Sequence, residues 1–389
     1  MQILLAVLGF VLFVGLILIH EWGHYIAARR NSVGVEEFGL GLPPRAWGKK
    51  LKSGMILSLN WLPLGGFVKL KGEHDSDTRP GSLGAASLSA KSQIMLAGVA
   101  LNLLAGLLLL TLVALIGMPK LIDNQFQITS DAKIIHQKLV VGSVSPDSPA
   151  QKAGLASRDI IEKISKGEQV YIINSPQDLQ TTTTSLAGQS VQIAVKRGGK
   201  SQIKTTTLLT KEEVEASQKA GDRKAYLGVS YDAVEIYRSS WSAPLVALGF
   251  TKQLFVLTME GLGKTIAGLS SYIAGLVSGN QEATDKSYVK ATSDVGGPVA
   301  IAMILWSGGS FGLNFLLFIV AIISLTLALI NFMPLPALDG GRLTMTLVSR
   351  GIFRRPLDRK TEERLVGFSM ALLLVLFALI TIVDVKRFF

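Results

Sequence analysis

The residue types and spacing of His20-Glu21-Trp22-Gly23-His24 define a chemistry before any fold is known. In a helix, positions i and i+4 share one face, so both imidazoles of an H-E-x-x-H run can bind one metal ion. Glu21 lies beside that face. It can take a proton from a water polarised by the ion without occupying a metal position itself. Two histidines leave a tetrahedral site short of a third protein ligand, with the fourth position open for water. The chain has no cysteine, so that ligand is a histidine or a carboxylate. His74, in the polar loop Glu73-His74-Asp75-Ser76-Asp77, and His136, far along the chain, both read as solvated surface histidines. Asp339 is the stronger candidate. It follows Asn331-Phe332-Met333-Pro334-Leu335-Pro336-Ala337-Leu338, where two prolines break helix geometry and free backbone groups.

The elements that must carry these residues are apolar. Of the 389 residues 49% are hydrophobic and only 17% charged, and the mean hydropathy is +0.41. Soluble domains carry about 25% charged residues, so the composition indicates a membrane protein and excludes a disordered one. Residues 3–19 form an unbroken apolar run, which as a helix covers roughly 25 Å of the ~30 Å hydrocarbon core. A signal peptide fits this run poorly, since no Lys or Arg precedes it and no small-residue cleavage site follows. Further runs cover residues 94–118, 313–333 and 366–383, so four spans are expected. Residues 244–277 are apolar but carry Lys252, Glu260 and Lys264, and are expected to lie in or near the interface.

The net charge of +11 would suit nucleic acid if it lay in one patch, but the basic residues flank apolar segments, as the positive-inside rule requires. No nucleic-acid partner is expected. The loop after the first span (Arg29, Arg45, Lys49) and the loop after the third (Arg342, Arg350, Arg354) then share the cytoplasmic side. The same topology brings His20 and Asp339 to similar depth. Residues 1–118 form the first half of a membrane core and 241–389 an interfacial helix plus the second half. Residues 119–240 read as a folded extracytoplasmic domain with a linker. There β-rich runs at 139–144, 191–195 and 203–208 alternate with turn signals at Gly198-Gly199 and Ser175-Pro176, and 211–224 reads as a linker or surface helix.

The H-E-x-x-H run together with Asn331…Leu338-Asp339-Gly340-Gly341 resembles the site-2 protease family of intramembrane zinc metalloproteases, in its bacterial regulator-of-sigma-E form. Leu64-Gly65-Gly66-Phe67-Val68-Lys69-Leu70 resembles the membrane-associated β-hairpin of that family. Gly98-Val99-Ala100-Leu101-Asn102 resembles its Gly-Pro-x-x-Asn motif, with Val99 in place of Pro, and Gly296-Gly297-Pro298-Val299 its Gly-Pro-Val stretch. The outer region resembles a single PDZ domain through Gly142-Ser143-Val144-Ser145-Pro146, Ala153-Gly154-Leu155 and Asp159-Ile160-Ile161, with Arg158 where glycine is common.

The resemblance implies a polytopic α-helical membrane protein with a cytoplasmic-side β-hairpin and one extracytoplasmic PDZ-like α+β domain, in the cytoplasmic (inner) membrane. It implies Zn2+ held by His20, His24 and Asp339, Glu21 as general base, and Asn331 and Asn102 holding the substrate backbone or oxyanion. Gly66, Phe67 and Val68 would pair with an unwound substrate strand. The implied partners are the lipid bilayer and single-span membrane proteins, such as anti-sigma factors or remnant signal peptides, cut in regulated intramembrane proteolysis. Two other readings compete. A PDZ-bearing scaffold with a structural metal predicts a closed four-ligand site; a metal transporter predicts polar residues along the spans.

Overall fold

The computed structural model describes residues 2–122, 124–219, 224–278 and 297–388. The chain divides into two compact units. One comprises residues 1–6, 110–247 and 306–318, and the other residues 7–109, 248–305 and 319–389.

The first unit is built around a seven-stranded sheet. β3 (Met118–Pro119), β9 (Val229–Arg238), β4 (Lys133–Val144), β5 (Ile160–Lys166), β7 (Ser190–Arg197) and β8 (Lys200–Thr207) follow in that spatial order, and β6 (Gln169–Ile172) pairs with β5. The expected strand runs fall in β4, β7 and β8. Leu139 and Val141, and Ile193 and Val195, alternate inward with the two-residue period of a half-buried sheet, and Ile161 and Ile164 join the same core on either side of a register shift at Ile161–Lys163. Gly198 and Gly199, both at positive φ, close the β7–β8 hairpin. Ser175-Pro176, expected to turn, instead starts the helix Pro176–Ser185. Ser175 caps it reciprocally with Asp178, and Pro176 stands where its missing N–H costs nothing. Arg158 adopts φ 71°, the left-handed conformation for which glycine is the usual choice. Residues 211–219 form a helix.

The second unit contains the hairpin and most of the helical bundle. Among the described residues five helices are long and apolar enough to cross a membrane: Ile3–Arg30, Leu88–Ile116, Ala243–Gly268, Leu313–Phe332 and Arg359–Val385. The first four named here belong to α1 (Gln2–Arg30), α2 (Leu88–Ile116), α6 (Ala243–Ser278) and α8 (Leu313–Phe332), in an order where α3, α4 and α5 are the short helices at Pro149–Lys152, Pro176–Ser185 and Lys211–Lys219. After α7 (Pro298–Phe311) and α8 come α9 (Asp339–Thr346), a π-turn at Leu347–Ile352, and α10 (Arg359–Phe388). Ile3, Leu4, Phe10 and Val11 of α1 are each more than half exposed, the surface a lipid-facing helix presents.

Helix directions follow from the contacts. His24 meets Ile94 and His20 meets Asn102, so α1 and α2 are antiparallel. Ser324 meets Asn102 and Thr346 meets Met95, so α2 and the α8–α9 segment are antiparallel too. α1 and α8 therefore run the same way, and an odd number of crossings separates them. α2 supplies one. The region expected as an interfacial helix is one continuous helix, α6, also long enough to span, and an α6 crossing would require a further crossing before Leu313.

β1 (Val35–Lys50) and β2 (Ile56–Leu70) form a curled two-stranded sheet. Val35–Leu40 pairs with Gly66–Leu70 on one side and with Ile56–Leu59 on the other, which leaves Gly66–Leu70 as an edge. Trp22 and Tyr25 of α1 each meet Phe38 of β1 edge-to-face at 6.3 Å, pinning the sheet to the helix that bears the H-E-x-x-H run. Ala28, Leu70, Ile94 and Leu343 share one core, so α1, β2, α2 and α9 meet at that end of the bundle.

Candidate active site

α1 continues without interruption through His20 and His24, which places the two rings one above the other. Their centroids are 4.8 Å apart in an edge-on arrangement, with Nε2 to Nε2 at 3.2 Å. Asp339 reaches them from the first turn of α9. Its Oδ2 lies 3.1 Å from His20 Nε2 and 3.2 Å from His24 Nε2. The approach depends on the broken backbone between α8 and α9. Proline at 334 and 336 ends α8, the freed Ala337 N–H donates to Ser369 Oγ of α10, and the chain turns back tightly. A Cβ on Gly340 or Gly341 would overlap the backbone of Phe332 and Leu335, so the two glycines are what allow this turn.

The three converging atoms fit a metal ion. With bonds of 2.0–2.2 Å to N and O ligands, the edges of a tetrahedron measure about 3.3 Å, close to the three separations seen. Asp339 Oδ2 is buried and accepts no hydrogen bond of adequate geometry, an orphan a cation would satisfy. His24 Nδ1 lies 2.8 Å from the Ile94 carbonyl, to which it donates, leaving Nε2 available to a metal ion. Among the described residues His20, His24 and Asp339 are the only such ligand group, so a fourth position stays open. That matches a catalytic site and not the closed four-ligand site of a structural metal.

Glu21 is half-buried and faces the hairpin. A Cβ on Gly66 would stand 3.1 Å from Glu21 Cγ, and the Val68 backbone N–H is directed at the Glu21 carboxylate. Glu21 and the edge strand Gly66-Phe67-Val68 are thus adjacent. Asn102 also comes to the site, but behind it: the residue is 1% exposed and its Nδ2 lies 3.5 Å from His20 Nδ1. Asn331, at the end of α8, is half-buried and makes no side-chain hydrogen bond among the described residues. His74 is away from the site, 3.5 Å from Glu363 and 3.8 Å from Glu362. His136 lies on β4 opposite Ile236.

Sequence reasoning gave no role to Gly98, quoted only within a motif, and passed over Asp75. Gly98 leaves room for both rings, since a Cβ there would lie 2.5 Å from His24 Nε2 and 2.8 Å from His20 Cε1. A glycine four residues before a buried asparagine in an apolar helix was its available signal. The loop at 73–77, expected to be solvated, holds a buried carboxylate, Asp75, which is 7% exposed. It accepts from Lys91 Nζ, from Arg350 Nε at 2.8 Å and from the Leu357 N–H at 2.9 Å. Nothing in the local sequence signals this, because its partners lie 16 to 282 residues away.

Helices long and apolar enough to cross a membrane, and an H-E-x-x-H run whose two histidines converge with Asp339 in a group that could hold a metal ion, together fit a membrane metalloprotease. The chain belongs to peptidase family M50, the site-2 proteases, whose pattern it matches over residues 8–376. It is 31% identical over 385 residues to a Clostridium perfringens protein provisionally named a zinc metalloprotease, covering 99% of this chain and 98% of the other. A similarly named Clostridium acetobutylicum protein is 29% identical, with 99% and 97% covered, and one from Campylobacter jejuni is 29% identical, with 96% and 90% covered. The chain is a zinc-dependent metalloendopeptidase.

Proposed function

We propose that this enzyme hydrolyses peptide bonds in or near the transmembrane segments of single-span membrane proteins, of the anti-sigma-factor or remnant-signal-peptide kind, in regulated intramembrane proteolysis. One observation carries the reading. His20, His24 and Asp339 converge at the end of an apolar helix long enough to cross a membrane, beside an open strand edge. His20, His24 and Asp339 hold the zinc ion. When bound, zinc supplies Lewis-acid polarisation of the scissile carbonyl and of the attacking water.

The residues of the chain do the rest. A substrate helix hides its carbonyls in its own hydrogen bonds, so it must unwind before it is cut. Gly66-Phe67-Val68 offers an edge on which the opened segment pairs, replacing those bonds. The Glu21 carboxylate takes a proton from the attacking water and passes it to the leaving amine nitrogen. Asn331 is free to contact the substrate backbone. The sheet domain, read as PDZ-like and extracytoplasmic, acts as a size filter against untrimmed substrates. The active site faces the cytoplasmic side of the inner membrane, with residues 1–118 and 241–389 as the two halves of the protease core.

The test compares purified wild type with Glu21→Gln on a model transmembrane substrate. Loss of the general base lowers turnover by roughly 10²–10⁴-fold while bound zinc stays at the wild-type level. Equal cleavage by the two proteins would overturn the assignment.

A further inference from the structure

Asn102 sits in the middle of α2, 1% exposed, where a polar side chain without a purpose is costly. Its backbone carbonyl accepts from Ser324 Oγ at 2.7 Å, which fixes it against α8. Its side-chain amide faces Nδ1 of His20 at 3.5 Å, and its Oδ1 is buried without a partner. The ring lies between the amide and the open face of the site: His20 Nδ1 faces Asn102, and His20 Nε2 faces Asp339.

We infer that Asn102 is a positioning residue for zinc: its amide oxygen accepts the Nδ1 proton of His20 and so holds the tautomer whose Nε2 binds the metal. The inference rests on the zinc ligands proposed above and departs from a substrate-holding role for Asn102. An imidazole that gives Nε2 to a cation must carry its proton on Nδ1, and a proton there needs an acceptor. His24 has one in the Ile94 carbonyl. For His20 the group beside Nδ1 is the Asn102 amide. An amide serves both tautomers, because a half-turn exchanges its NH2 and its oxygen at nearly the same position. With the NH2 facing His20, as in the structure, the amide donates to a bare Nδ1 while Nε2–H points at Asp339. With the oxygen facing His20, it accepts from Nδ1–H and Nε2 is released for the metal. The 3.5 Å separation is long for a hydrogen bond, as a contact that tightens on loading would be.

The experiment is a competition titration of the full-length, detergent-purified protein with a chromogenic zinc chelator, alongside KM and kcat on a transmembrane substrate. Asn102→Leu keeps the branched outline of the side chain and removes the acceptor; its zinc affinity falls roughly 10- to 100-fold. Asn102→Asp, an acceptor with no donor, binds zinc at least as tightly as wild type. Unchanged zinc affinity in Asn102→Leu with a raised KM would overturn the inference in favour of substrate contact. Equal loss in both variants would reduce Asn102 to a packing role and overturn it too. If Asn102→Leu does not fold, weaker zinc binding by Asn102→Asp alone suffices to reject it. A wild type that binds no zinc would instead defeat the ligand assignment beneath it.

Discussion

At the scale of single residues the site is governed by space as much as by charge. His20 and His24 can face Asp339 because α2 presents a glycine to them. Gly98→Ala would place a methyl within 2.5 Å of His24 Nε2. The ring cannot swing away without breaking its Nδ1 bond to Ile94. The helix itself tolerates alanine better than glycine, so the fold survives and the ligands shift. The expected outcome is a protein that melts like wild type but retains little zinc and cleaves at least roughly 10²-fold more slowly, the usual result of displacing a reacting group by about 1 Å. Zinc content per chain, measured beside the melting curve, checks it.

At the scale of elements the problem is to hold α9, which carries Asp339, against α2, which supports both histidines. Asp75 does this from the intervening loop. It joins Lys91 at the start of α2 to Arg350 in the π-turn that continues α9, while Arg350 also donates to the Asp75 and Gly84 carbonyls. Burial pushes the Asp75 carboxyl up, but bonds from Lys91, the Leu357 N–H and Arg350 outweigh it and hold the group below its ordinary range. A depressed native pKa stabilises the fold above the unfolded value, near 3.9 for aspartate, and that contribution is lost as pH falls through the native value. Asp75→Asn therefore destabilises the protein at pH 7 by about 3 kcal/mol, since it strands Lys91 at 1% exposure. It also flattens the acid limb of the stability curve. Melting of both proteins from pH 7 down to about pH 2 tests this: the gap persists to near pH 4 and narrows below it, as Asp75 takes up its proton in the native state, and a gap that stays constant down to the lowest pH rejects the account.

At the scale of the whole molecule, the sheet domain is an insertion with adjacent ends. Met118-Pro119 enters it and pairs with Tyr237-Ile236, by which the chain leaves; Ser239 N–H then bonds to the Ala114 carbonyl at the end of α2. A short Gly/Ser linker in place of residues 120–236 can therefore close the gap without moving either helix end. If the domain is a size filter, the excised enzyme cleaves a substrate still carrying a bulky folded outer domain several-fold faster than the full chain does, and a trimmed substrate at an unchanged rate. Equal discrimination by both enzymes would assign the filtering elsewhere.

Local spacing carried a large part of this protein. Lipid excludes unsatisfied polar groups, so apolar runs announce membrane helices, and an i, i+4 histidine pair with its neighbouring glutamate marks a candidate metal site. Asp339 was reachable as well, because the parity of crossings constrains which loops share a side. Strands of the sheet domain were legible from their β-rich runs, but Ser175-Pro176 was misread because the same residues serve turns and helix starts. Span length could not decide α6, whose charges and apolar residues suit either the interface or a crossing. Only the tertiary structure decided what depends on contacts between distant segments: the room left by Gly98, the amide of Asn102 behind His20, the open edge of β2 beside Glu21, and the carboxylate of Asp75 joining α2 to the π-turn. Those depend on which surfaces meet, and a sequence records the surfaces without recording their meeting.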